Sequence, residues 1–132
     1  MRKKTLNRKK LNPSTSVFTG VKYSDDLNMQ LFIYNENELV ENSKFYEKDF
    51  NGFTDDSKQY WLNTHAIHDT DQITNICKKA KIHELVIQDI LDVNQRPKFQ
   101  EYEDYWFFSM KSILPSESIE IESEQLSFIL GK

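Results

Sequence analysis

The stretch Tyr105–Leu114 (Tyr-Trp-Phe-Phe-Ser-Met-Lys-Ser-Ile-Leu) constrains the fold of this chain more than any other part of it. Read with the two-residue period of a strand, one face carries Trp106, Phe108, Met110 and Leu114. The other carries Tyr105, Phe107, Ser109, Lys111 and Ile113. Both faces begin with aromatic rings. Such a strand is expected to lie inside a sheet and to be covered on both sides. The rest of the chain must therefore supply neighbouring strands and helices to lie against them.

The helices are legible directly upstream. Ile73, Ile76, Cys77 and Ala80 recur at i, i+3, i+4 and i+7, and Asp69 or Thr70 can cap the run, which predicts a helix over Asp71–Ala80. A second helix is expected from His83 or Glu84 to Val93, with Val86, Ile87, Ile90, Leu91 and Val93 as its buried stripe. Gln88, Asp89 and Asp92 fall on or near its polar side. Pro97 removes a backbone donor and biases Arg96 away from helix, so this helix ends before it.

Further strands are expected at Thr15–Thr19, closed by Gly20, at Met29–Tyr34, and at Tyr60–Thr64 as a short internal strand. Glu36–Glu41 reads as a short helix. Asn42–Lys58 lacks a clean period and holds the turn formers Asn51-Gly52 and Asp55-Asp56. After the Pro115-Ser116-Glu117 turn, Ile119 and Ile121 occupy one face and Leu126, Phe128 and Leu130 the other. That phase change calls for a bulge or break near Ser123–Gln125. Strands, a helix pair and a closing hairpin define the α/β class, a mixed β-sheet flanked by helices.

A chain of 132 residues, 38% apolar and 13% aromatic, is long and apolar enough for one domain with a core. No run approaches the roughly 20 apolar residues of a membrane-spanning helix. Charge is uneven: seven Lys or Arg and no acid occur through Lys22, against ten basic and twenty-one acidic residues afterwards, for a net charge of −4. Residues 1–12 are expected to be a disordered basic leader, and 13–132 the folded domain. The acidic body argues against nucleic acid as the main partner. The single cysteine, Cys77, excludes an internal disulfide, fits a reducing compartment and falls on an apolar stripe, as a core residue would.

Catalytic chemistry has little to rest on. His65-Ala-Ile-His68 has a spacing seen in zinc sites, but no cysteine pair lies nearby. His83-Glu84 is not followed by a second histidine in zinc-protease spacing, and His83 is better placed to close one helix and open the next. Three glycines, Gly20, Gly52 and Gly131, build neither a nucleophile elbow nor a phosphate-cradling loop. None of the acids stands in an apolar setting that would tune it for acid–base work. The chain reads as a non-enzyme.

The segment from His83 to Phe107 carries the pattern His-x-Leu-x-x-x-Asp-Ile-Leu-x-x-x-Gln-Arg-Pro-Lys-x-x-x-Tyr-x-x-Tyr, and Ser123-Glu-Gln-Leu-Ser-Phe-Ile-Leu130 follows after a turn. With Asn12-Pro13, Val17-Phe-Thr-Gly20, Tyr60-Trp-Leu-Asn63 and Ile67-His-Asp-Thr-Asp71, this resembles the N-terminal cytoplasmic domain of the CorA family of magnesium and cobalt transporters. The likeness runs over nearly the whole chain. It implies a CorA soluble-domain-like α/β fold, truncated at its C-terminal edge. It also implies a homopentamer anchored at the cytoplasmic face of the cell membrane by helices absent here. The family's Gly-Met-Asn pore signature does not occur in these residues. In the family pattern Asp89 matches a regulatory ligand that shares a divalent ion, Mg2+ or alternatively Co2+, with an acid from a neighbouring subunit. Gln88 stands where some members carry Glu, which weakens any accessory site using that carboxylate. A zinc-transporting relative and a soluble intracellular protein-interaction domain stay open as alternatives.

Overall fold

A computed structural model describes residues 16–22, 27–115 and 121–132. In chain order it has strands β1 (Asn28–Tyr34), β2 (Leu39–Phe45) and β3 (Gln59–His65), helices α1 (Thr70–Lys79) and α2 (Glu84–Leu91), then strands β4 (Lys98–Glu101), β5 (Tyr105–Leu114) and β6 (Glu122–Gly131). A 3-10 turn at Glu47–Asp49 lies between β2 and β3. This is the α/β class expected from the sequence. Its strands divide between two three-stranded antiparallel sheets, ordered β2-β1-β3 and β4-β5-β6. No helix among the described residues is long and apolar enough to cross a membrane.

Helix α1 serves both sheets. Ile76 joins Met29, Leu31, Phe45 and Phe50 over the first sheet. Ile73 and Cys77 join the apolar stripe of α2 and the rings of Tyr105 and Phe107 over the second. Residues three and four apart share a helix face but are not superposed, so one narrow stripe can reach two cores. Leu27 and Ala80 touch both clusters and close the gap between them.

Both ends of α1 follow from local chemistry. The Asp69 carboxylate accepts from the Gln72 backbone N–H at 3.1 Å and from its side-chain amide at 2.6 Å. Those bonds, the backbone one foremost, hold the Asp69 carboxyl below the usual carboxylate range. At the other end Lys81 N–H donates to Lys78 O at 3.0 Å and Ile82 N–H donates to Cys77 O at 2.9 Å. This pair of bonds requires a left-handed residue between them, and Lys81 takes it with φ 58°. Glycine does so without a Cβ penalty.

Several expectations are corrected. Glu36–Glu41 is not a helix: the Asn35 side chain accepts from the N–H groups of Asn37 and Glu38, building a turn, and β2 starts at Leu39. Strand β2 then runs into the stretch expected to be turns. Its register with β1 shifts between the Met29↔Phe45 and Leu31↔Asn42 pairs, and that irregularity hides its period in the sequence. Strand β3 lies at a sheet edge, with β1 at the centre. Ser16–Thr19 forms no strand; Thr19 N–H donates instead to Leu91 O at 3.1 Å. Helix α2 stops at Leu91, two residues short of Val93, and the edge strand β4 was not anticipated.

The second sheet keeps the alternation expected of Tyr105–Leu114, and β5 is its central strand. Tyr105, Phe107 and Ser109 are buried beneath the helices, whereas Trp106 and Phe108 on the outer face are half-buried. Among the described residues the cover is thus on one side. Strand β6 pairs with β5 without interruption from Tyr105↔Gly131 to Leu114↔Glu122. The expected bulge is absent because Ile121 precedes the ladder and is exposed, so it imposes no phase on the strand. Ile119, Thr15 and the leader over residues 1–12 lie outside the described residues.

Two outcomes test this arrangement. Lys81→Gly should raise unfolding stability by about 0.5–1 kcal/mol, read by chemical denaturation, because the left-handed cap favours glycine. Burial pushes the Cys77 thiol up to about 12. The native chain should therefore resist a thiol reagent at neutral pH and react at its unfolding rate, measured by absorbance as denaturant is added.

Candidate metal-ligand site on helix α2

Helix α2 is tied down at its start by residues far apart in sequence. His83 caps it from an extended backbone, its ring Nδ1 accepting from Leu85 N–H at 3.2 Å. The His83 backbone N–H donates to the Tyr105 hydroxyl at 3.0 Å. Tyr105 stacks on Tyr102 with ring centroids 4.7 Å apart, and Tyr102 stacks on the His83 ring at 5.9 Å. The histidine and the two tyrosines of the long sequence pattern are thus one stack, and His83 separates the two helices as expected.

The other end carries carbonyls that a helix cannot satisfy internally. Gln125, reaching from β6, donates its side-chain amide to Asp89 O at 3.2 Å and Ile90 O at 3.3 Å. Thr19 N–H serves Leu91 O, and the Lys111 ammonium donates to Val93 O. Asp92 is consumed in the same collar. It accepts from the Thr19 hydroxyl at 2.7 Å, from Asn94 N–H at 3.2 Å and from the Gln95 amide at 2.9 Å.

Asp89 has a different setting. Its side chain is 15% exposed, and its Oδ2 lies 2.5 Å from the Lys98 ammonium. Register explains the encounter. Lys98 stands opposite the buried Ser109, so both occupy the face of the second sheet that meets the helices. The Tyr102 phenol is raised above its ordinary value, first by burial and then by the nearby Tyr105 and the negative charge of Asp89. Asp89 therefore lies in a half-buried polar seam between α2 and β4 rather than on an open helix face. Gln88, one residue earlier, is also half-buried.

The histidines are not drawn into a centre. His65 Nε2 lies 3.0 Å from the Asn63 side-chain amide, and His68 favours the charged Asp69. Among the described residues no three His, Cys, Asp or Glu side chains are grouped as a metal ion would need. Lys98, Gln125 and Thr19 stand in the motifs quoted from the sequence, but their ties to α2 were not legible there. A signal existed for Lys98, since two cations, Arg96 and Lys98, flank Pro97; its inward direction becomes visible only once β4 is paired. Gln125→Leu should lower stability by about 1 kcal/mol by stranding two carbonyls. Amide hydrogen exchange should rise most in the last turn of α2, and an unchanged exchange pattern would show that the tie is inert.

The family model described as CorA-like Mg2+ transporter protein matches residues 56–132, more than half of the chain. The cobalt/magnesium transport protein CorA of Thermotoga maritima is 38% identical over 134 residues, an alignment that takes in 100% of this chain. The chain spans 38% of the length of that relative.

Proposed function

Because the chain belongs to the CorA family, we propose that it is a cytoplasmic regulatory domain of a divalent-cation transporter. The transporter is a homopentamer, the sensed ion is magnesium with cobalt as the alternative, and the pore is contributed by sequence outside residues 1–132. The observation that supports a sensing role is the placement of Asp89 on a helix tied at both ends, with its carboxylate held against the Lys98 ammonium.

One carboxylate is half of a site for a hard cation, which takes six or more oxygen ligands, several of them water. Asp89 would meet an acid from the neighbouring subunit. Two carboxylates brought together repel, and a divalent ion between them removes that penalty. The ion then favours the subunit arrangement that brings the acids together, which is the closed state. Its loss loosens the contact and opens the gate. Gln88 can offer an amide oxygen but adds no charge, so an accessory site there would be weak. Oxygen ligands admit several hard cations, and a zinc-transporting relative would use the same scaffold.

One observation favours a second reading, an intracellular protein-interaction domain. Phe99, Met110, Phe128 and Leu130 lie on the outer face of the second sheet and are exposed. The decisive variant is Asp89→Lys in the pentameric transporter carrying this domain, with flux followed across a magnesium series. The new ammonium stands in for the ion, so the effect of magnesium on flux should shrink by about fivefold or more. An unaltered magnesium dependence would remove Asp89 from the gate.

A further inference from the structure

Asn51 is the only asparagine in the chain that is followed by glycine. The pair sits just past the 3-10 turn at Glu47–Asp49, in a loop that belongs to neither helix nor strand. Asn51 is exposed, and among the described residues no hydrogen-bond partner engages its side chain or the Gly52 N–H. Gly52 has φ 89°, a left-handed conformation that suits a residue without a Cβ. The missing Cβ also leaves its nitrogen open to close approach by the preceding side chain. Asn42 makes the contrast. It precedes the small Ser43, but it lies in β2 paired with Leu31, and its side-chain oxygen accepts from Lys44 N–H at 3.2 Å.

We propose that Asn51 is a site of spontaneous deamidation, with water as the co-reactant and isoaspartate and aspartate as the products. The Gly52 nitrogen gives its proton to solvent and bonds to Asn51 Cγ. The Cγ–Nδ2 bond breaks, and Nδ2 takes a proton from solvent and leaves as ammonia. A cyclic imide then joins the two residues, and water adds to either of its carbonyls. Opening at Cγ restores the chain with aspartate at position 51. Opening at the Asn51 backbone carbonyl leaves isoaspartate, in which the chain runs through Cβ and Cγ. No group is oxidised or reduced, and either product carries a new carboxylate.

The two products differ in what they do to the fold. Phe50 is 2% exposed and meets Phe45 and Phe53 edge-on, with ring centroids 6.2 and 5.2 Å away. On the other side Gly52 lies against the end of α1, where a Cβ would stand 3.9 Å from Lys79 O. Isoaspartate adds a backbone carbon between these two packed points. The extra length draws Phe50 out of the first core or presses the loop onto α1, and the first sheet loses stability either way. Aspartate keeps the backbone and changes charge alone. None of this chemistry involves α2 or an ion.

The test ages the folded 132-residue chain in warm neutral buffer, below its unfolding transition, and maps isoaspartate after trypsin digestion. An isoaspartyl methyltransferase with a labelled methyl donor marks the product, and mass spectrometry places it. Residues 49–58 hold Asn51 as their one asparagine, while residues 23–44 hold Asn28, Asn35, Asn37 and Asn42 as an internal comparison. Most of the label should appear in 49–58. Asn51→Gln should lose it, because the longer side chain closes its ring poorly. Aged chain carrying isoaspartate should unfold at lower denaturant than fresh chain, whereas Asn51→Asp should unfold near the wild type. Equal unfolding of aged and fresh chain would overturn the effect on the first sheet. Label that appears in 49–58 only after denaturation would show that the fold withholds Gly52, and would overturn the proposal. Label spread equally over both peptides would overturn it too, as would label that persists in Asn51→Gln and so belongs to Asp55 or Asp56.

Discussion

The contact between the apolar stripe of α2 and the inner face of β5 removes Val86, Ile87, Leu91 and Phe107 almost wholly from water, at 0–1% exposure each. Each such side chain contributes about 1.5–3 kcal/mol of favourable transfer free energy. Stability alone does not describe what the contact does. An eight-residue helix has too few hydrogen bonds to persist unaided. Its direction and rotation are set by which residues it buries. Once Val86, Ile87, Ile90 and Leu91 face the sheet, Asp89 is turned toward the seam beside β4, and the last carbonyls of the helix point at β6.

A second constraint joins the two sheets. No strand pairs across them in the described structure, so their common element is α1, with Ile76 in one core and Ile73 and Cys77 in the other. The cap at Lys81 sharpens that junction, because the left-handed turn sends the chain directly into Ile82, whose side chain is buried beside α2. Hydrophobic burial places the helices, and hydrogen bonding at their ends determines where each stops.

The parts legible from sequence are those whose pattern is local. The i, i+3, i+4 spacing of Ile73, Ile76 and Cys77 and the aromatic alternation of β5 led to elements that the structure contains. Strands β2 and β4 were missed because what makes them strands is their partner. The period of β2 is broken by an irregular register, and β4 is four residues with one inward lysine. The candidate site was less legible still. Nothing in the local pattern separates Asp89 from Asp92, since both are acids on the polar side of one helix; only the family resemblance singled out the first. In the folded chain they differ plainly. Asp92 is tied up by three neighbours, whereas Asp89 faces an ammonium brought by another element.

The collar around the end of α2 also sets an order of assembly. Thr19 leaves the ribosome well before the helix it serves, Lys111 some twenty residues after it, and Gln125 later again. A nascent chain that has emerged only as far as Pro97 can pair the strands of the first sheet, but α2, too short to persist unaided, has no β5 to lie on, and the carbonyls of Asp89 and Ile90 still lack Gln125. Neither β5, which buries the helix, nor β6, which closes its end, has yet been made. The segment bearing Asp89 is therefore among the last places in this chain to reach its final form. Synthesis halted partway would leave the sequence of α2 with neither a sheet to bury it nor a fixed seat for its acid.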